Sequence, residues 1–179
     1  MPTDLTAQLC TTCALCCDGS LFADVELADD AEANRMEELG LESESDDAEI
    51  RLMPLPCAAL RGTRCGVYAH RPGTCRSFEC RLLKDAQAGH VSVESALQSI
   101  AEARQRVRDV NALLARCGFT DATLPLRERC DEALANAPAK GVRAQRAHAA
   151  LETAMGELDW LLERTFLARR RTARERARE

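Results

Sequence analysis

Cysteines dominate the chemistry that this sequence can offer. The chain has ten of them, and eight lie within the first 80 residues. These eight are Cys10, Cys13, Cys16, Cys17, Cys57, Cys65, Cys75 and Cys80. Cysteines two residues apart can turn both thiolates toward one cation, and distant pairs can complete a tetrahedral shell with Zn–S bonds of about 2.3 Å, or hold an iron–sulfur core. The spacing therefore predicts a metal site built from thiolates.

The adjacent pair Cys16 and Cys17 bears on the number of metal sites. Consecutive side chains usually diverge, so two neighbours seldom ligate the same ion. We expect one of the two to serve another centre or to be structural. Eight thiols fit two four-thiolate sites, but they also fit one site with several supporting cysteines, and the spacing leaves both arrangements open.

Two arginines flank the last candidate ligands. A divalent ion held by four thiolates carries excess negative charge, which guanidinium groups can offset by hydrogen bonding to sulfur. We therefore predict that Arg71 and Arg76 support the bound cofactor without binding metal themselves. The alternative is that each is an ordinary surface charge.

Other reactive residues give weaker signals. Cys117 and Cys130 lie on apolar stripes, where a thiol packs as a small hydrophobic group, so we exclude them from the site. The histidines show no mutual metal-ligand spacing, and only His70 is near the cysteines. No nucleophile elbow, phosphate loop or dinucleotide fingerprint is present in the sequence. We identify no catalytic constellation and leave open whether the chain is an enzyme.

Composition narrows the setting. Ten cysteines in 179 residues fall below the roughly 8–10% typical of secreted disulfide scaffolds. The first residues, Met1 to Asp4, have neither the basic nor the apolar region of a signal peptide. We expect a cytoplasmic, reducing location. No stretch approaches the roughly 18 apolar residues of a membrane span, so no membrane partner is expected.

Charge is unevenly distributed along the chain. Residues 1–49 hold 14 acidic side chains against the single base Arg35, whereas residues 169–178 are rich in arginine. Acidic runs are typical of solvated surfaces. The basic end lacks interleaved aromatic residues, which favours an exposed helix end over a nucleic-acid site. The partner we expect is a metal ion, not nucleic acid, and the sequence names no protein partner.

The elements that must position the cysteines are short. Residues 1–25 show little helical periodicity, which predicts a loop wrapped around metal. A short helix is predicted from Asp29 to Leu39, ended by Gly40. An extended piece is expected from Ile50 to Leu55, and a single helix from Thr74 to Gly89.

Helical periodicity is stronger in the rest of the chain. Ser92 can cap a long helix that Gly118 ends, and further apolar stripes run from Leu126 to Ala137 and from Ala144 to Phe166. These patterns predict antiparallel helices packed against one another.

The expected fold is therefore mainly α. We predict a small, loop-rich, metal-organised cysteine-cluster module in residues 1–90. An antiparallel helical hairpin or bundle in residues 91–179 is expected to pack on it and to have an exposed Arg-rich C-terminal end.

The order of the cysteines matches a known family. The run Cys10-Thr-Thr-Cys13-Ala-Leu-Cys16-Cys17-Asp-Gly-Ser-Leu-Phe22 is followed by Cys57 and by Cys65-Gly-Val-Tyr68-Ala-His-Arg71-Pro72-Gly-Thr-Cys75-Arg76-Ser-Phe78-Glu-Cys80. Over about residues 8–85, the chain resembles the YkgJ-type CxxCxxCC proteins. The resemblance implies a zinc- or iron-chelating domain, long labelled a possible iron–sulfur oxidoreductase. A related cysteine cluster occurs in flagellin lysine N-methylases, but no S-adenosylmethionine site is recognisable here.

Three classes of function are compatible with these residues. The leading one is a metal-binding protein that chelates zinc or iron. The alternatives are an iron–sulfur oxidoreductase or electron carrier, and an interaction module with a structural zinc.

Overall fold

The computed structural model describes residues 4–46, 50–136 and 141–167. The mainly α fold is confirmed. The helices are α1 (Leu5–Cys13), α2 (Asp30–Glu38), α3 (Gly73–Ser77), α4 (Arg81–Gln87), α5 (Val93–Arg116), α6 (Leu126–Ala135) and α7 (Val142–Thr165). Within the described ranges, none of the helices combines the length and apolar character that crossing a membrane requires.

The strands are short and lie between the helices of the first half. They are β1 (Asp24–Glu26), β2 (Glu44–Ser45), β3 (Arg51–Pro54), β4 (Leu60–Arg61) and β5 (Arg64–Cys65). β3 is central and pairs antiparallel with both β1 and β2. β4 and β5 form a hairpin whose turn contains Gly62 at a φ of 62°, a conformation that glycine adopts at little cost. The predicted extended piece around residues 50–55 is confirmed as β3.

The larger hydrophobic cluster is helical. α5 and α7 pack along each other, and α1, α4 and α6 cover them. Ile100, Leu114, Leu158 and Phe166 are fully buried there. The Arg81 N–H donates to the Phe166 carbonyl at 2.8 Å, which places the end of α7 near the elements that precede α5. The long helices therefore run antiparallel, as their sequence patterns predict.

A second, smaller cluster lies under the sheet. Its buried residues are Val25, Leu27, Ala33, Met36, Leu41, Met53, Leu55 and Ala59. They come from β1, α2, β3 and the loops beside them. The helix expected at residues 29–39 is confirmed as α2, which Asp29 caps by accepting a hydrogen bond from the Glu32 N–H at 2.7 Å.

Two sequence-based expectations differ from the structure. Residues 1–25 were expected to be a loop, but α1 occupies part of them because Asp4 caps its start and Leu9 is buried. The single helix expected from residue 74 to 89 is two helices, separated by extended backbone at Phe78 and Cys80. The side chains of Cys75 and Cys80 would point about 140° apart on one ideal helix, and the break removes that constraint.

The division into a module of residues 1–90 and a helical region of residues 91–179 stays a prediction. α1 precedes the proposed boundary, yet its Leu9 packs in the larger helical cluster. The Arg-rich end expected to be exposed lies outside the described residues.

Candidate metal centre

α1 and the turn after it present four cysteines. Cys10 and Cys13 are three residues apart in α1 and therefore share one side of the helix. Ala14 follows at a φ of 61° and ends the helix, with its N–H donating to the Cys10 carbonyl. The Cys17 N–H then donates to the Ala14 carbonyl at 2.8 Å, which folds the Cys16–Cys17 step into a tight turn.

Cys80 comes to this region from the other side of the fold. It caps α4, with its sulfur accepting from the Leu83 N–H at 3.4 Å. α4 contacts α1, and Cys13 and Cys80 both pack against the larger cluster. The break before α4 therefore delivers Cys80 to the cysteines of α1.

The thiols near α1 interact electrostatically with one another. Burial raises the pKa of Cys13 to about 12 and that of Cys16 well above its usual value, and negative charge on Cys80 would raise both further. Burial also raises the pKa of Cys10, with Cys80 as the next largest cause. Cys10, Cys13 and Cys16 thus lie in or just after α1, and Cys80 begins α4, which contacts α1.

The other cysteines of the motif gather around Cys17. The Cys57 N–H donates to the Cys17 carbonyl at 2.8 Å. The Leu60 N–H donates to the Cys57 carbonyl at 2.9 Å, and Leu60 pairs with Cys65 across the β4–β5 hairpin. Cys57 and Cys75 both pack against the smaller cluster. This set is Cys17, Cys57, Cys65 and Cys75.

The same division appears in the charges that act on these thiols. Burial raises the pKa of Cys17 to about 12, and negative charge on Cys75, Cys57 and Cys65 raises it further. Burial raises the pKa of Cys75 to about 11, with Cys57 and Cys65 as the next causes. Lone thiolates are unfavourable here, and a thiophilic cation is the partner that would hold them deprotonated.

A cavity of about 260 Å³ lies beside the cysteines. Six of the eight line it: Cys10, Cys16, Cys17, Cys57, Cys65 and Cys75. Phe22 and Phe78 form part of its wall, in an edge-to-face pair with ring centroids 5.1 Å apart. Cys10 and Cys16 therefore border the same largely apolar space as Cys17, Cys57, Cys65 and Cys75.

The donor set suits zinc or iron. All ten cysteines are free thiols, so none is consumed by a disulfide. Within the described part of the chain, no three His, Cys, Asp or Glu side chains are already positioned to hold a metal ion. One rotatable bond separates each cysteine sulfur from its backbone, so rotamer changes alone can redirect these soft ligands.

The two arginines predicted to support the site lie in different surroundings. Arg71 stacks on Tyr68, with its guanidinium carbon 3.8 Å from the ring centroid, and its Nε donates to the Tyr68 carbonyl at 3.2 Å. Its positive charge opposes the raised pKa of Cys10 and Cys75, although burial dominates both shifts. Arg76 is exposed in the last turn of α3. Their role toward a metal stays a prediction.

The cysteines excluded from the site lie in the helical core. Cys130 is fully buried, and Cys117 packs against the same cluster. Burial raises the pKa of Cys130 to about 11. His70, the one histidine near the motif, is exposed at the end of a short 3₁₀ helix (Tyr68–His70).

Glu32 was missed by the sequence reasoning. It is 5% exposed, and its two carboxylate oxygens accept from the N–H groups of Ala28 and Gly73, each at 2.9 Å. It thereby ties α2 to the first residue of α3, the helix that carries Cys75. An acidic residue three positions after Asp29 signals a helix start, but the contact with Gly73 has no sequence signal.

Arg104 was also missed. From the middle of α5, its guanidinium donates to the Cys13 carbonyl at 2.7 Å. Burial raises the pKa of the nearby Asp18 carboxyl, and the charge of Arg104 acts against that shift. Arg104 therefore fixes the end of α1 where the chain turns toward Cys16 and Cys17, and no spacing rule links residues 91 positions apart.

Replacing Arg104 with Gln should weaken metal retention by about 10–100-fold, the usual range for residues that orient ligands. The Cys13 carbonyl would lose its charged donor, and the turn would be held less firmly. Loading the variant with zinc and competing with a chelator measures the effect. Arg108→Gln is the matched control, because Arg108 is exposed on the same helix and bonds only to Gln105 among the described residues. Equal retention in the two variants would contradict the role of Arg104.

Comparison with known families gives one match to a family model. A family model named CxxCxxCC, described as "Putative zinc- or iron-chelating domain", matches residues 9–106. The match includes all eight cysteines and extends through α4 into α5 as far as Arg106, so that it also covers Arg104. No curated protein and no solved structure matches the chain.

Proposed function

We propose that this protein, which belongs to the CxxCxxCC family, is a metal-binding protein that chelates zinc or iron through its cysteine thiolates. One observation supports the proposal: six of the eight motif cysteines, which span the sequence from Cys10 to Cys75, line one cavity of about 260 Å³. Cys117 and Cys130, the two cysteines outside the motif, are elsewhere, in the helical core.

The energetics of the thiols support a bound cation. Thiols are weak hydrogen-bonding groups, so hydrogen bonds of the eight cysteine side chains contribute little to stability. Four thiolates around a divalent ion contribute folding free energy directly, which loops with few apolar residues otherwise lack. The residues that would bind the ion are the eight cysteines, with Arg71 and Arg76 offsetting the negative charge.

Anaerobic purification followed by metal analysis and an absorbance spectrum tests this function. Bound zinc in a colourless protein, or iron, supports the proposal. A correctly folded protein that retains neither metal, and takes up neither when reconstituted under reducing conditions, would overturn it.

The cavity favours a second candidate, an iron–sulfur centre used as an oxidoreductase or electron carrier. An iron–sulfur core needs more space than a single ion, and six cysteines border a space of about 260 Å³. Inorganic sulfide together with a brown colour would support this candidate, whereas metal without sulfide would support simple thiolate chelation.

We also propose a cytoplasmic location. The ten free cysteines support it, because reduced thiols persist in a reducing compartment and tend to form disulfides in an oxidising one. Metal is the one partner that the proposed function requires.

A further inference from the structure

We infer that the eight cysteines form two separate four-thiolate centres, joined at the Cys16–Cys17 peptide bond, each of which takes one thiophilic metal centre of the zinc or iron class. The first centre comprises Cys10, Cys13, Cys16 and Cys80, and the second Cys17, Cys57, Cys65 and Cys75. This inference rests on the proposed function and specifies how the ligands are divided.

Backbone hydrogen bonds build the second centre. The Cys57 N–H is bonded to the Cys17 carbonyl, and the turn from Cys57 leads into the hairpin that carries Cys65. Cys75 reaches the same place because Thr74 donates its hydroxyl to the Glu26 carbonyl at 2.7 Å, which fixes α3 against β1. The three segments that carry Cys57, Cys65 and Cys75 are thus held by hydrogen bonds to Cys17 or to elements beside it.

The first centre is built on helices instead. Cys10 and Cys13 lie on α1, and Cys80 begins α4, which contacts α1. Arg104 on α5 holds the Cys13 carbonyl at 2.7 Å. α1 also contacts β5 of the hairpin, but the other contacts of this centre are with helices α4 and α5.

The two hydrophobic clusters divide the cysteines in the same way. Cys13 and Cys80 pack against the larger, helical cluster, whereas Cys57 and Cys75 pack against the smaller cluster under the sheet. A single site would require side chains anchored in different cores to point at one ion. With two sites, each cysteine can bind metal while it stays packed against the hydrophobic cluster that it already contacts.

Cys16 and Cys17 form the junction. Neighbouring side chains diverge, so a turn that contains both can direct one sulfur to each side. The Cys17 carbonyl accepts from the Cys57 N–H at 2.8 Å, whereas Cys16 lies just after α1, the helix that carries Cys10 and Cys13. Four thiolates complete a tetrahedral shell, and each thiol releases its proton to solvent on binding.

Two double variants with equal numbers of thiols test the division. Cys10→Ser with Cys80→Ser removes two ligands from the first centre, and Cys65→Ser with Cys80→Ser removes one from each. Serine is a preferred helix-capping residue, so it can replace the Cys80 sulfur at the start of α4 without losing the cap. Cys117→Ser with Cys130→Ser is the control that removes two thiols from the helical core.

The measurement is the number of cobalt or zinc equivalents that each protein retains, during competition with a chelator, as tightly as the unmodified protein does. Circular dichroism confirms that each variant is folded. We expect about two for the unmodified protein and the control, about one for the first variant, and none for the second. Equal retention in the two test variants, or a single ion in the unmodified protein, would overturn the division while leaving metal binding intact. If a double variant does not fold, Cys10→Ser with Cys13→Ser, compared with Cys13→Ser with Cys65→Ser, gives the same decision, because the first pair should lose one ion and the second pair both. An unmodified protein that binds no metal would instead defeat the proposed function.

Discussion

Removal of metal is expected to loosen the region around the cysteines while α5 and α7 stay folded. Among the residues that the structure describes, eight are buried in the smaller cluster, which short strands surround, whereas nineteen are buried in the larger cluster. Metal coordination supplies about 10–16 kcal/mol of folding free energy in small zinc modules. Without it, the sheet and hairpin keep little apolar burial with which to offset the entropy of ordering their loops.

Hydrogen exchange before and after treatment with a chelator measures this difference. Amides of β1, β3 and the hairpin should lose protection, whereas those in the middle of α5 and α7 should keep it. Reloading with zinc is the control and should restore the protection. Unchanged exchange across residues 14–80 in a protein verified to be free of metal would show that the apolar contacts alone hold this region.

Replacing Glu32 with Ala is expected to destabilise the sheet region by about 3 kcal/mol, because two N–H groups would lose their shared carboxylate acceptor and the side chain is buried. The effect should be measurable at the Leu27 amide, which donates to the Arg51 carbonyl at 2.8 Å and reports on opening of the smaller cluster. Metal retention should fall as well, since the start of α3 would no longer be tied to α2.

Two further variants sharpen this test. Glu32→Gln keeps one acceptor oxygen but turns an amide group toward the other N–H, so its loss of stability should be smaller than that of Glu32→Ala. Glu38→Ala changes an exposed carboxylate at the end of the same helix and should have little effect. If all three variants unfold at the same denaturant concentration, the Glu32 contacts do not stabilise the fold.

The long elements could be predicted from sequence because their signals are local. Ser92 caps α5 by accepting a hydrogen bond from the Ser95 N–H at 3.1 Å, and Gly118, which follows its end, has a φ of 93°. Apolar residues repeat along α5 and α7 at helical spacing, and their burial follows that pattern. Local chemistry and tertiary packing agree in these helices.

The arrangement of the site could be predicted only in part. The eight cysteines are recognisable by type and spacing, but nothing in their order assigns Cys80 to α1 or Cys57 to Cys17. Those assignments depend on contacts between distant segments, such as the hydrogen bond from Arg104 to Cys13. α1 itself was missed because cysteine, threonine and glutamine occupy much of it, which leaves few apolar positions to reveal a helical period.

α5 is shared between the region that the family model matches and the helical core that follows it. Its first half lies within the family match and carries Arg104, whereas its second half buries Val110 and Leu114 in the core shared with α6 and α7. The unit that is recognised in sequence is therefore shorter than the unit that folds. A truncated chain ending at residue 106 would keep every motif cysteine but expose the apolar residues that face α7, and it should aggregate where the full chain stays monodisperse in light scattering.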